Sequence, residues 1–141
     1  MLYVEFPAQC EAVYVSLVVE NPSTGMRCTV DAKVDTGSPY TILPPDIISA
    51  IDLTPFCMED LEAINGSPFK TAVCMGRIYL DDNNEYIDMA VHIADDEIAI
   101  PLLGMDILRK GDTAITHVEE DGNMWLRFTF NLLPEESRIL L

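Results

Sequence analysis

Apolar and polar residues alternate through Leu2 to Phe6, and valine-rich Ala12 to Glu20 reads as a further strand. The turn cluster Asn21-Pro22-Ser23-Thr24-Gly25 then leads into another strand-like run, Met26 to Val34. Pro44-Pro45-Asp46 is a helix-start signal, and Ile47, Ile48, Ile51 and Leu53 behind it keep roughly helical spacing. Asn65-Gly66 is the strongest hairpin dipeptide in the chain. Val73 to Leu80 and Tyr86 to Ile93 flank Asp81-Asp82-Asn83-Asn84 as a second hairpin. Ile115 to Val118 and Trp125 to Phe130 flank Asp121-Gly122 as a third. Between these two, the wholly apolar run Ile98 to Leu103 ends in Gly104, and Met105 to Lys110 reads as a helix stopped by Gly111. Many short strands with one or two brief helices predict a small closed or sandwich-like β domain over residues 1–141.

Composition narrows the function classes. At 49% apolar, the 141 residues can fill a core, which argues against disorder. The longest nearly uninterrupted apolar run, Ala12 to Val19, is far shorter than the roughly 18 residues of a membrane span. Twenty-four acidic residues against eight basic ones give a net charge of −16. That field repels phosphate backbones and anionic lipid heads, so neither nucleic acid nor membrane is an expected partner. Cys10, Cys28, Cys57 and Cys74 form no C-x-x-C pair, and His92 and His117 stand apart, so no metal site and no cofactor are expected. Disulfide scaffolds are denser in cysteine, so the thiols read as reduced and mostly buried, in a cytoplasmic protein.

One segment carries chemistry. In Val34-Asp35-Thr36-Gly37-Ser38 an acidic residue leaves an apolar strand and meets a glycine two positions on. A carboxylate there can be held by neighbouring amides and by the Thr36 or Ser38 hydroxyls, while glycine lets the backbone turn tightly. An isolated D-T-G is an ordinary Asx turn. Here Val30, Ala32, Ile42 and Leu43 flank it, and Pro101-Leu102-Leu103-Gly104 follows far downstream.

On these residues the chain resembles the retropepsin-like aspartic proteases, those of bacterial type included. Val34 to Ser38 is similar to their catalytic loop. Ile64-Asn65-Gly66-Ser67, running on to Met75-Gly76-Arg77-Ile78, is similar to their flap and the strand that follows it. Leu102-Leu103-Gly104-Met105-Asp106-Ile107-Leu108 is similar to their apolar-apolar-Gly element and short helix. The resemblance, over about residues 12–118, implies a mainly β fold: a small closed barrel of the acid-protease type with one or two short helices and a flap hairpin. It makes Asp35 the catalytic residue, with Thr36, Gly37 and Ser38 supporting its loop. It makes Ile64, Asn65, Gly66 and Ser67 the flap that meets substrate, and Leu102, Leu103 and Gly104 a structural element. Chemistry adds a constraint of its own. The dyad mechanism needs two carboxylates sharing a water and a proton, and this chain has one D-T-G. A homodimer with Asp35 of each subunit at the axis is therefore expected, acting on a peptide or protein substrate.

The sequence departs from the family in places. Met105 stands where viral members often carry arginine, Pro68 near the flap tip lacks an amide donor, and Trp125 to Leu141 extends past the resemblance. Weaker candidates fall to simpler readings. Asp81, Asn83, Glu85 and Asp88 lack the glycine and final glutamate of a calcium loop and read as a polar turn. Asp95-Asp96-Glu97 reads as a solvated loop, Asp112-Thr113-Ala114 as the exit of the preceding helix, and Trp125 as core. Ser38 has no G-x-S-x-G around it, and Cys74 with His92 has no local cysteine-protease pattern. Two classes remain: a homodimeric aspartic endopeptidase, and a non-catalytic dimeric module of the same fold that binds peptides or assembles.

Overall fold

Val15, Leu17 and Val19 all leave one face of β2 (Tyr14–Glu20) and are almost wholly buried, because a strand sends every second side chain the same way. The computed structural model describes residues 1–63, 65–80, 85–94 and 100–135. Around β2 the chain adds β1 (Leu2–Pro7), β3 (Arg27–Val34), β4 (Ile42–Leu43), α1 (Asp46–Ala50), β5 (Cys57–Glu62), β6 (Pro68–Tyr79), β7 (Tyr86–Ala94), β8 (Leu102–Leu103), α2 (Met105–Leu108), β9 (Gly111–Glu120) and β10 (Asn123–Leu132).

A seven-stranded sheet runs in the order β2-β3-β8-β4-β7-β6-β5. Its β6 also returns to β2 through Val18↔Tyr79, Val19↔Ile78 and Glu20↔Arg77. Every strand of that sheet except β5 thus joins a closed ring, which removes most free edges. Leu17, Val19, Ala32, Leu43, Ile78, Val91, Ile93 and Leu103 are buried in the core of this ring, with Ile47 and Ile51 around α1 and Ile107 of α2 packed in the same cluster. A second sheet, β1-β10-β9, joins the same core through Phe128 and Phe130. The mainly β, barrel-type fold class expected from the sequence is the one observed.

Four details go beyond the pattern reading. Cys57–Glu62 shows no alternation, yet it forms β5 because β6 offers it a full antiparallel ladder from Cys57↔Val73 to Glu62↔Pro68. Pro68 opens β6, a place where a strand tolerates proline. The C-terminal hairpin is longer than Ile115 to Phe130: β9 starts at Gly111 directly behind α2, and β10 reaches Leu132 and takes β1 as partner from Leu2↔Phe130 to Pro7↔Trp125. The end of α1 is held from outside, by the Asn21 side-chain amide donating to the carbonyls of Ile51 (3.0 Å) and Asp52 (2.9 Å). Ile64, the Asp81 to Asn84 turn with its calcium-loop positions, the Asp95-Asp96-Glu97 loop and residues 136–141 lie outside the described residues.

Candidate active site

Asp35 stands where β3 leaves the barrel. The apolar residues of β3 bury it, and its end is clamped by amides: Lys33 N–H donates to Pro101 O (2.8 Å), Val34 N–H to Val13 O (2.9 Å) and Asp35 N–H to Leu103 O (3.0 Å). The neighbour on that side is β8, paired in parallel through Lys33↔Leu102 and Val34↔Leu103. Leu103 is buried and Leu102 half-buried, so the apolar-apolar-Gly element forms one wall of the strand end.

Beyond Asp35 the chain turns at once. Asp35 Oδ1 accepts the Gly37 N–H at 2.9 Å, and the Asp35 carbonyl accepts the Ser38 N–H at 3.2 Å. A Cβ on Gly37 would stand 3.2 Å from that same Oδ1, closer than side chains normally pack. Asp35 is half-buried, while Thr36 and Gly37 are exposed at the tip. Ser38 is buried, and its hydroxyl donates to Tyr40 O (2.7 Å). The carboxylate is therefore fixed by an amide, not by the Ser38 hydroxyl.

The loop is locked to the segment after β8 by interactions that sequence reasoning missed. Met105 N–H donates to Ser38 O (2.8 Å) and Asp106 N–H to Pro39 O (3.2 Å). The Asp106 carboxylate accepts both the Thr41 N–H (2.8 Å) and the Thr41 hydroxyl (2.7 Å), and Thr41 Oγ1 accepts the Gly104 N–H (3.1 Å). A Cβ on Gly104 would fall 2.3 Å from Tyr40 O and 2.9 Å from Ser38 O. Asp106 thus braces the turn in a chain whose neighbouring position is Met105. The sequence placed Asp106 in the apolar-apolar-Gly element and its short helix, but not its contact with Thr41.

The described flap candidates, Asn65, Gly66 and Ser67, lie between β5 and β6. Ala63 to Ser67 connects β5 to β6, with Gly66 in the left-handed region (φ 80°) and the Asn65 side chain accepting Ser67 N–H at 3.0 Å. Among the described residues, the hydrogen bonds of Asn65, Gly66 and Ser67 are local, and all three are exposed. The hairpin meets the Asp35 loop instead at its base, where Glu59 of β5 reaches His92, and His92 lies against Tyr40.

The remaining candidates keep structural roles. Cys74 is fully buried, and desolvation, followed by the neighbouring Cys57, pushes its thiol up and away from the thiolate. It also belongs to the core, whereas His92 pairs with Val73 on the opposite face. Asp88 grips Arg77 at 2.7 and 3.1 Å. Asp112 and Thr113 lie within β9, the strand that follows α2, where the Thr113 hydroxyl donates to Leu108 O. Trp125 is half-buried in β10. Among the described residues, no three His, Cys, Asp or Glu side chains gather as metal ligands, and no helix is long and apolar enough to cross a membrane.

The chain is similar to a retropepsin-like aspartic protease from Rickettsia conorii, with a TM-score of 0.51 and 14% identity over 89% of this chain and 91% of that one. It is also similar to EIAV protease complexed with the inhibitor HBY-793, with a TM-score of 0.49 and 13% identity over 74% of this chain and 91% of that one. No family model matches the sequence, and no curated protein matches it either. The chain has a retropepsin-like, aspartic-protease-like fold.

Proposed function

We propose that residues 1–141 form one subunit of a homodimeric aspartic endopeptidase, with Asp35 as the catalytic residue of each copy. The observation that carries this reading is the Asp35 loop. A half-buried carboxylate sits at a barrel-strand end, one oxygen held by the Gly37 amide, in a turn cross-braced to Gly104, Met105 and Asp106. A fixed carboxylate beside an exposed Thr36-Gly37 tip is what a two-fold partner bringing the same loop would complete.

Two such carboxylates share one proton, because like charges in contact do not both ionise. The ionised Asp35 takes a proton from water, whose oxygen attacks the peptide carbonyl carbon, while the protonated Asp35 of the other copy gives its proton to the carbonyl oxygen. On collapse the C–N bond breaks, the amine leaves with the proton taken from water, and one hydroxyl of the intermediate returns its proton to the Asp35 that had given it, restoring the shared proton. In this reading the hairpin of Asn65, Gly66 and Ser67 closes over the extended peptide and excludes water. Leu102, Leu103 and Gly104 hold the loop from behind. The net charge of −16 favours neutral or basic peptides with apolar side chains at the scissile bond. We place the enzyme in the cytoplasm, on its cysteine spacing.

The test is digestion of a diverse peptide library with and without pepstatin, read by mass spectrometry, beside Asp35→Asn. The variant should fold, dimerise and lose at least about 100-fold in turnover. Mixed one to one with wild type and allowed to exchange, it should leave about a quarter of the activity, where simple dilution leaves about a half. Wild-type turnover in the variant removes the aspartic mechanism. A linear dilution line removes the shared dyad, and peptide binding without cleavage by the wild type identifies a binding module.

A further inference from the structure

His92 is a buried polar residue in a stretch of β7 that is otherwise apolar, Ala90 to Ala94. Strand register puts Cys57, Val73 and His92 side by side, with Glu59, Thr71 and Ala94 in the adjacent row of the same face. The core lies behind the other face, which carries Ala72, Cys74 and Ile93. Diagonally across β6, His92 Nε2 meets Glu59 Oε2 at 2.6 Å. Tyr40 lies against the imidazole ring, with centroids 4.3 Å apart and planes at 35°. A carboxylate only accepts, so the hydrogen bond network assigns the proton to Nε2. Nδ1 is left buried without a hydrogen-bond partner among the described residues.

A bare buried nitrogen costs stability, and an aliphatic residue would fill this position without it. What histidine adds is reach in two directions. Glu59 belongs to β5, the outer strand of the sheet, which lies outside the closed ring and pairs with β6. Tyr40 belongs to the loop of Asp35, and its carbonyl holds the Ser38 hydroxyl and abuts Gly104. We infer that His92 is a positioning residue that ties the outer strand of the 57–79 hairpin to the Asp35 loop, so that hairpin and carboxylate keep a set spacing when a peptide enters. This deepens the protease reading and rests on it.

The two ring nitrogens make the inference testable. Glutamine can place its amide N–H where Nε2 stands, whereas asparagine reaches only as far as Nδ1. His92→Gln should therefore keep the tie and His92→Asn should lose it. The Glu59 side chain is 47% exposed, so Glu59→Ala removes the partner with little risk to folding. A pair this exposed to solvent contributes at most about fivefold to a local equilibrium. In the full-length protein, amides of residues 57–62 should exchange about fivefold faster in His92→Asn and in Glu59→Ala, and no faster in the double variant than in either single one. With a peptide that the wild type cleaves in the library digestion as substrate, both variants should raise KM by a similar factor at nearly unchanged kcat, and His92→Gln should restore both readouts. Equal behaviour of the glutamine and asparagine variants, or additive losses in the double variant, overturns the inference. If wild type cleaves no library peptide, the protease reading fails while the exchange arm still decides whether the tie exists; an unchanged exchange pattern in an active enzyme refutes the tie alone.

Discussion

Gly104→Ala should disable this protein by forcing two backbone segments apart. The added Cβ would lie 2.3 Å from Tyr40 O, 2.4 Å from Tyr40 C and 2.9 Å from Ser38 O. Carbon contacts settle near 3.5–4.0 Å, so the two segments must part by roughly 1 Å. The obstructing atoms are backbone, so no rotamer change relieves the clash. Overpacking alone costs about 1–3 kcal/mol. Separation also stretches Gly104 N–H to Thr41 Oγ1 and Met105 N–H to Ser38 O, each contributing about 1 kcal/mol. The sum, about 3–5 kcal/mol, should lower the melting temperature by about 10 °C or more in a domain of this size. Thermal unfolding by circular dichroism measures it. Gly25→Ala is the control: its φ is +77° and nothing lies within 4 Å of the new methyl. Only backbone strain of about 1 kcal/mol applies there. A Gly104→Ala protein that melts within about 2 °C of wild type and cleaves peptides normally would refute the interlock of the 35–41 and 102–106 segments.

Asp106→Asn puts an amide N–H against either the Thr41 N–H or the Thr41 hydroxyl, leaving a donor without its acceptor; the expected loss is about 1–2 kcal/mol by denaturant melt, and a neutral result would remove the brace. Glu20→Gln should show a pH-dependent cost. The hydrogen bond from Arg27 at 2.7 Å, opposed by desolvation and aided by the Arg27 charge, holds the buried Glu20 carboxyl below its ordinary 4.5. Because the folded value is the lower one, this stabilisation is complete above 4.5 and is lost as pH falls below it. The melting-temperature gap between wild type and Glu20→Gln should be open at pH 7 and close in stronger acid; a gap constant with pH would show that the charge plays no part.

Local rules made part of this molecule legible. The two-residue period of β1 and the valines of β2 foretold strands, and Asn65-Gly66 and Asp121-Gly122 foretold turns that the structure places at Gly66 and Gly122 with positive φ. Asp35 and the Leu102-Leu103-Gly104 element were singled out by their joint resemblance to the retropepsin-like pattern, since the Asp35-Thr36-Gly37 turn alone is an ordinary local one. What neither could reach were contacts between distant parts of the chain. Nothing in Cys57–Glu62 alternates; β5 exists because β6 presents a ladder to it. Nothing in Leu2–Pro7 names Asn123–Leu132 as its partner. The Asp106–Thr41 brace and the Glu59–His92–Tyr40 contact each join residues from separate elements, and the Ser38 hydroxyl turned to Tyr40 O because closure of the loop offered that acceptor. Periodicity and turn chemistry are set by each residue's own backbone and neighbours, so the sequence alone determined the strands that alternate and the turns between them. Register across a closed ring depends on many pairings satisfied at once, and only the tertiary structure could decide which polar groups finally met.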